Sequence, residues 1–512
     1  MNPVLRGLAA NTSLPSELVD RLITVADTDT DTDIAAALAG RSDLSQAQAV
    51  ELASRFEENA GRLAHEGTLT VADIDPVAQP HIALALLREG ADRPEWARRL
   101  AEDPMVERRA QLAACPGLPL DVAEKLAVDT DVRVVAELAL WTTPELAARL
   151  AAHPHAEVRS GVAANEATPP AVLAALITGE GLPLAQRCLV CDREETPFVH
   201  DPQCPRLDCD LRPGASCDGS HDSTILDIRQ AALRNRATPA EAVVDLVDHP
   251  STLLRWEIAA RTDLPSEAYE RLAADANPGV RADLASNSAI DHALIRVLAS
   301  DRDHDVRRKL AHNPHVPLDV LTDLAATTKI GPTLLPRIAA ASPAEIEALA
   351  ASPNAVVRML LAQRRDLPPE IRDALATDPD VKVVKSIATH PGLSEAQLRA
   401  MVDRHGARVV ARVATNGDAT PALLEDLSRH EPPVQKAFRE VARHRHATAP
   451  ALLACLADKQ ARPIAAGHPS LPPQVIADLL TDADWQVAEA AAANPSLPLA
   501  VMAELVPCPP RP

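Results

Sequence analysis

The stretch Val306-Arg-Arg-Lys-Leu310-Ala311-His-Asn313-Pro314-His-Val316-Pro317-Leu-Asp-Val320-Leu321 decides the fold, because the chain writes it many times over. The segment leading into it, Asp301-Arg-Asp-His-Asp-Val306-Arg307-Arg-Lys-Leu310-Ala311, matches Asp275-Ala-Asn-Pro-Gly-Val280-Arg281-Ala-Asp-Leu284-Ala285 at a separation of 26 residues. A fixed period of this size is the signature of a stacked-repeat architecture. With the alanine as anchor, the pattern places units at Ala9, Ala39, Ala64, Arg88, Ala113, Ala139 and Ala163. Beyond an interruption it resumes at Leu233, Ala259, Ala285, Ala311, Ala339, Ala362, Ala388, Ala414, Ala442, Ala465 and Ala492. These are eighteen units, mostly 23 to 28 residues apart.

Each position in the unit has a physical reading. Two residues past the anchor stands a polar or bulky residue, often Asn: Asn11, Asn165, Asn235, Asn287, Asn313, Asn416 and Asn494. Asn tolerates left-handed backbone and hydrogen-bonds its own turn, so it is expected to stop the helix that ends at the anchor. Leu or Val then precedes proline, as at Leu14-Pro15, Leu118-Pro119, Leu264-Pro265, Val316-Pro317, Leu367-Pro368 and Leu497-Pro498. Proline is well placed to open the next helix, where its missing N–H has no intrahelical partner to lose. In Pro119-Leu-Asp-Val122-Ala123-Glu-Lys-Leu126-Ala127 the apolar residues then fall three and four apart, the spacing of a short amphipathic helix. Asp and Arg recur six apart at Asp103/Arg109, Asp275/Arg281 and Asp301/Arg307, which predicts a charged ladder bridging stacked units.

Two helices of this length cannot bury both apolar faces alone, so neighbouring units must stack into a two-layered all-α solenoid. That accounts for the composition. The 512 residues hold only four Trp, three Phe and one Tyr, with 17 Gly against 45 Pro. Small side chains at the anchors let helices approach closely, and Pro rather than Gly punctuates the turns. At 46% hydrophobic residues the chain is too apolar for general disorder.

The unit Val-Arg-x-x-Leu-Ala-x-Asn-Pro-x-Val-Pro-x-x-Val-Leu, as it stands at Val306 to Leu321, resembles the leucine-rich-repeat variant family. The resemblance covers nearly all of the chain outside a cysteine-rich segment. It implies a right-handed superhelix in which α-helices alternate with short, often 3₁₀, helices. The expected organisation is helical repeats over 1–187, a metal-binding insertion over 188–221, further repeats over 222–506 and a Pro-rich tail over 507–512.

Chemistry concentrates in the insertion. Cys188-x-x-Cys191 puts two thiolates on one tight turn, and Cys204, Cys209 and Cys217 follow, with His200 and His221 nearby. Five of the eight cysteines lie here, a metal-site distribution more than a disulfide framework. Four thiolates suit an iron–sulfur cluster, and a mixed Cys/His set suits structural zinc. Some leucine-rich-repeat variant proteins carry a cysteine-rich segment that binds a four-iron [4Fe-4S] cluster, so the resemblance favours iron. Cys217-Asp218-Gly219-Ser220-His221 also resembles the core of the CDGSH iron–sulfur motif, although Leu207 stands where that family has its first Cys. An insertion of this size with few apolar residues is below what folds unaided, so the metal is expected to be structural.

The formal charge of −21 disfavours nucleic acid, whose sequence-independent binding needs Lys and Arg at phosphates, and points toward partners with basic patches. No run reaches the length of a membrane span, and the first residues lack the pattern of a signal peptide, so the expected address is the cytoplasm. The run Asp27-Thr-Asp29-Thr-Asp31-Thr-Asp33 lacks the glycine and the final glutamate of a calcium loop and reads as an inter-repeat loop. No P-loop, dinucleotide fingerprint or nucleophile elbow is present. The sequence therefore predicts a non-enzymatic scaffold that binds a protein in the concave groove of its solenoid. A redox or electron-transfer protein is the first alternative, and a helical-repeat nucleic-acid protein of the glycosylase type the second.

Overall fold

The structure is a computed structural model, and it describes residues 2–26, 31–72, 74–189 and 221–507. Each of the eighteen anchors lies at the end of a helix or caps one, for example Ala285 in Pro278–Ser286, Ala311 after His304–Leu310 and Ala388 after Val381–Ile387. Neighbouring anchor helices stack in one layer, as Val132–Trp141 does on Ala156–Ala164 and Pro278–Ser286 on His304–Leu310, and the proline-led helices between them pack in a second. Helices such as Ser266–Ala273, Pro369–Ala376 and Pro473–Leu479 are α, so the second layer is α-helical. Among the described residues the only 3₁₀ element is Glu57–Asn59. Alanines 9, 39, 113, 139, 163, 259, 285, 311, 388, 414 and 492 are fully buried between neighbouring helices. A larger side chain there would force the helix axes apart.

The asparagine two residues past the anchor does more than stop a helix. It is not left-handed: Asn11, Asn165, Asn235 and Asn287 have φ near −70° and ψ between 114° and 128°. Extended backbone turns the side chain back toward the preceding unit. There its amide donates to two main-chain carbonyls that end the neighbouring anchor helix. Asn313 Nδ2 reaches Ala285 O at 3.0 Å and Asn287 O at 2.7 Å, and Asn287 Nδ2 reaches Ala259 O and Arg261 O at 2.8 and 2.6 Å. Asn416 and Asn494 repeat the arrangement. As the sequence predicts, each Oδ1 also accepts from its own turn, His315 N at 2.9 Å in the case of Asn313. One side chain thus satisfies three backbone groups, two of them, in the case of Asn313, buried carbonyls that water cannot reach.

In several units without this Asn, another donor takes its place. Arg41, Arg261 and Arg364 reach the same class of carbonyls, and each pairs with an aspartate two residues on. His444 Nε2 lies 2.9 Å from Asn416 O, and His468 Nε2 lies 3.2 Å from His444 O. Their Nδ1 atoms accept the backbone N–H of His446 and Ser470, both at 3.1 Å. This fixes the neutral tautomer, since a protonated ring has no acceptor left. Burial, the dominant influence on each, lowers both imidazole pKa values from the ordinary 6.5, and the nearby His446 and Arg445 lower that of His444 further. For a histidine depressed in this way, the stabilising contribution is complete above pH 6.5 and is lost as pH falls through the folded-state value. His444→Asn/His468→Asn should therefore keep the ladder and flatten the acid limb of a melting-temperature profile taken between about pH 5 and 8. An unchanged acid limb would remove these two rings as its cause.

The charged ladder has a related geometry. Arg281 makes a two-pronged contact with Asp301 of the following unit, at 2.8 and 3.0 Å, while its Nη1 donates to the main-chain carbonyl of Asp275. Arg109 with Asp129, Arg255 with Asp275, and Arg358 with Asp378 do the same. Asp275 and Asp301 therefore each offer their own Arg a carbonyl, and their carboxylates serve the Arg of the preceding unit, while the Asp103 carboxylate pairs with Arg108 of its own unit. The hydrogen bonds from Arg109 and Arg281 hold Asp129 and Asp301 below the usual carboxylate range. Both partners of the Arg281–Asp301 pair are about nine-tenths buried, so the ladder is more than a set of solvated surface ions.

The described chain divides into two compact units, Met1–Thr70 with Ala325–Pro512, and Val71–Leu324. The first unit has a feature the repeat alone does not announce: the first anchor helix, Pro3–Ala10, packs on the last, Trp485–Ala492. Asn11 Nδ2 donates to Ala492 O at 2.9 Å and Asn494 O at 2.8 Å, the same kind of carbonyl pair that Asn313 and Asn494 use. Arg6 adds an ion pair to Glu489 at 2.9 Å, and Arg21 donates to Val506 O at 2.5 Å. The beginning of the chain is thus the next repeat after its end.

Candidate metal segment and a cationic groove

The second unit contains the roots of the cysteine segment. Asn235 Nδ2 reaches Ala163 O at 3.2 Å and Asn165 O at 2.8 Å, so the unit at Leu233 stacks directly on the unit at Ala163. No repeat is lost across the interruption. The insertion lies between the proline-led helix Pro170–Thr178 and the anchor helix Asp222–Arg234.

The entry to the insertion is pinned. A parallel bridge joins His155 and Arg187, with Ala156 N donating to Arg187 O at 2.9 Å and Gln186 N to Pro154 O at 2.8 Å. Glu157 accepts Leu189 N through Oε1 at 2.8 Å, and its Oε2 lies 2.8 Å from His155 Nδ1. Arg159 also donates to a carbonyl six residues before it, His153 O, but its second partner is Pro183 O, in the segment leading into the insertion, where other units have a carboxylate. Cys188 is held among these groups and is only 1% exposed. At the exit, His221 is also buried and adopts left-handed backbone, φ 57°, before capping Asp222–Arg234. Cys191, Cys204, Cys209, Cys217 and His200 lie outside the described residues, which by themselves bring no three potential metal ligands together.

Cys115 and Cys455 are ordinary buried residues, as the sequence suggests. Burial pushes both thiols up to about 12, which suppresses the thiolate that nucleophilic or redox chemistry would require. The acidic run from Asp27 falls mostly outside the described residues.

A different site lies in the first unit and was not singled out from the sequence. Three consecutive anchor helices, Ala355–Leu361, Val381–Ile387 and Ala407–Ala414, line a groove of about 610 Å³. Ile330, Val356 and Met359 contribute apolar surface. Lys329, Arg365, Lys382, Lys385 and Arg412 contribute charge, and no acidic side chain lines the groove. The three helices contain no Asp or Glu. That is the signal the sequence held, and averaging over a chain of net charge −21 hides it. Arg365 donates to Thr389 O, while Lys382, Lys385 and Arg412 form no ion pair among the described residues.

No protein-family model and no curated protein matches the chain. Among solved structures it is similar to SYS-1, at 11% identity and a TM-score of 0.16, over 97% of this chain and all of that one. It is also similar to a chain of the Pds5–Scc1 complex, at 13% identity and a TM-score of 0.13, over 93% of this chain and 61% of that one. An engineered protein matches at 16% identity and a TM-score of 0.08, over 75% of this chain and 98% of that one. At such TM-scores these likenesses carry no weight for fold or function. The helical-repeat fold rests on the stacked units themselves. Among the described residues no helix is long and apolar enough to cross a membrane.

Proposed function

We propose that the chain is a non-enzymatic scaffold that holds a protein partner along its anchor-helix layer, with residues 188–221 as an embedded metal site. The groove across three stacked helices carries this reading. Stacked repeats present extended surfaces, and a long groove with an apolar floor suits a segment of another chain. A photo-crosslinking residue replacing half-buried Gln363, which lines the groove, should capture a partner species that the same residue at exposed Val128 does not. Equal capture from both positions would overturn the reading.

For the insertion, the donor set is Cys188, Cys191, Cys204, Cys209 and Cys217, with His200 and His221 in reserve. The leucine-rich-repeat variant resemblance supports a four-iron cluster, and zinc is the other metal this set suits. Burial of Cys188 fits a structural ligand better than an exposed, labile redox centre. Buried free thiols at Cys115 and Cys455 fit a reducing compartment such as the cytoplasm. Anaerobically purified protein should carry stoichiometric iron with broad visible absorption, or stoichiometric zinc without colour. Cys188→Ser should reduce the metal content and lower the melting temperature. Full-length protein free of both metals would sink the metal assignment.

A further inference from the structure

We infer that the groove over Ala355–Leu361, Val381–Ile387 and Ala407–Ala414 binds an acidic, extended segment of a partner protein. This rests on the scaffold reading above and names the chemistry of its partner. Net acidity of the chain points toward basic partners, but charge acts through the face that carries it. Here that face is cationic. Arg365, Lys382 with Lys385, and Arg412 come from three successive units, and packed helices lie about 8–10 Å apart. The positive charges are therefore stepped along the groove, and a single small anion could not meet all of them. An extended peptide advances about 3.3–3.6 Å per residue, so a carboxylate at every third position keeps pace with the helices. Ile330, Val356 and Met359 offer apolar surface for the side chains between the acids. No aromatic side chain lines the groove, and that disfavours single-stranded nucleic acid, which gains much of its affinity by stacking bases on aromatic rings.

The test uses the full chain and a fluorescein-labelled twelve-residue peptide, Glu-Ser-Gly repeated four times, followed by fluorescence anisotropy. Binding is expected, weakening as salt is raised, with the Lys-Ser-Gly counterpart inert. Lys385→Glu should weaken it roughly tenfold. Lys459→Glu changes net charge equally at an exposed site outside the groove and should leave binding within about twofold, the size expected of a distant screened charge. Equal losses from the two variants would reveal a diffuse field and overturn the assignment. So would tighter Lys385-dependent binding of a twelve-nucleotide oligothymidylate, or a self-associated chain that Lys385→Glu separates. If the peptide fails to bind while Gln363 still crosslinks its partner, the acidic chemistry is wrong and the scaffold stands. If the peptide binds but no partner crosslinks, the scaffold reading is the one that fails.

Discussion

Gly7→Val should release both ends of the chain together. Gly7 stands two residues before the anchor Ala9, where Pro3–Ala10 meets Trp485–Ala492, and a Cβ there would lie 2.2 Å from Glu489 O and 2.8 Å from the Ala492 Cβ. The nearest of these atoms is backbone in a packed helix, so it cannot swing aside. The first helix must move away instead. Doing so breaks the two Asn11 hydrogen bonds to the last repeat and the Arg6–Glu489 pair. Overpacking of this kind costs about 1–3 kcal/mol, and the lost ladder bonds bring the expected loss to the top of that range. Hydrogen exchange should show reduced protection in residues 3–25 and 485–506 of the same variant, with residues 156–164 unchanged. Gly161→Val is the internal comparison. Its Cβ would meet Ala136 O at 2.6 Å and Ala139 Cβ at 2.9 Å, so it should loosen 132–164 and spare the ends. Gly61→Ala, with open space around it, should be neutral or stabilising by about 0.5 kcal/mol. Unaltered protection at both ends of the Gly7 variant would mean that the first repeat does not rest on the last. The arrangement has a physical motive. Stacked helices bury an apolar face only where a neighbour covers it, and here Pro3–Ala10 and Trp485–Ala492 cover each other.

The sequence made the unit legible because its signals are local. Proline before Leu120, the three-and-four spacing of Val122, Ala123 and Leu126, and the alanine anchors all act within a few residues, and the helices fall accordingly. What depended on stacking was hidden. Asn313 reads as a helix stop because nothing within its own unit reveals Ala285 O and Asn287 O as its partners. The six-apart Asp and Arg spacing pointed to a ladder, yet which oxygen each Arg takes follows from the offset between helices. The stacking of the first repeat on the last is invisible for the same reason, although Gly7 in place of a side chain was a clue. At the site, cysteine spacing identified the insertion, and Cys188 and His221 are its buried roots. The groove was missed because net charge was read over 512 residues and not helix by helix.

Asn313→Asp should be among the most damaging single-atom-scale changes the fold can suffer. Asn313 is fully buried, and the substitution turns a donor aimed at two carbonyls into a third acceptor facing them. Two hydrogen bonds are lost and a carboxylate is left among like partial charges. Leaving an uncompensated buried charge in this way costs about 3–5 kcal/mol. The burial raises the folded-state pKa of the new carboxyl, so the penalty is absent below the ordinary carboxylate value and grows as pH rises through it. The variant should thus be weakest at neutral pH and recover toward about pH 4, opposite in sign to the histidine units. Asn313→Ala should fall between wild type and Asp, since it removes the donor without adding a charge. The repeat also indicates a rescue. At Arg41, Arg261 and Arg364 a guanidinium fills this position, and each time an aspartate two residues on, Asp43, Asp263 or Asp366, balances it. The residue at that place after Asn313 is His315. Asn313→Arg alone should bury an uncompensated charge, while Asn313→Arg/His315→Asp should regain most of the loss. Additive effects of the two substitutions in urea unfolding would show that they do not couple, and the ladder would then be held by packing and not by the amide.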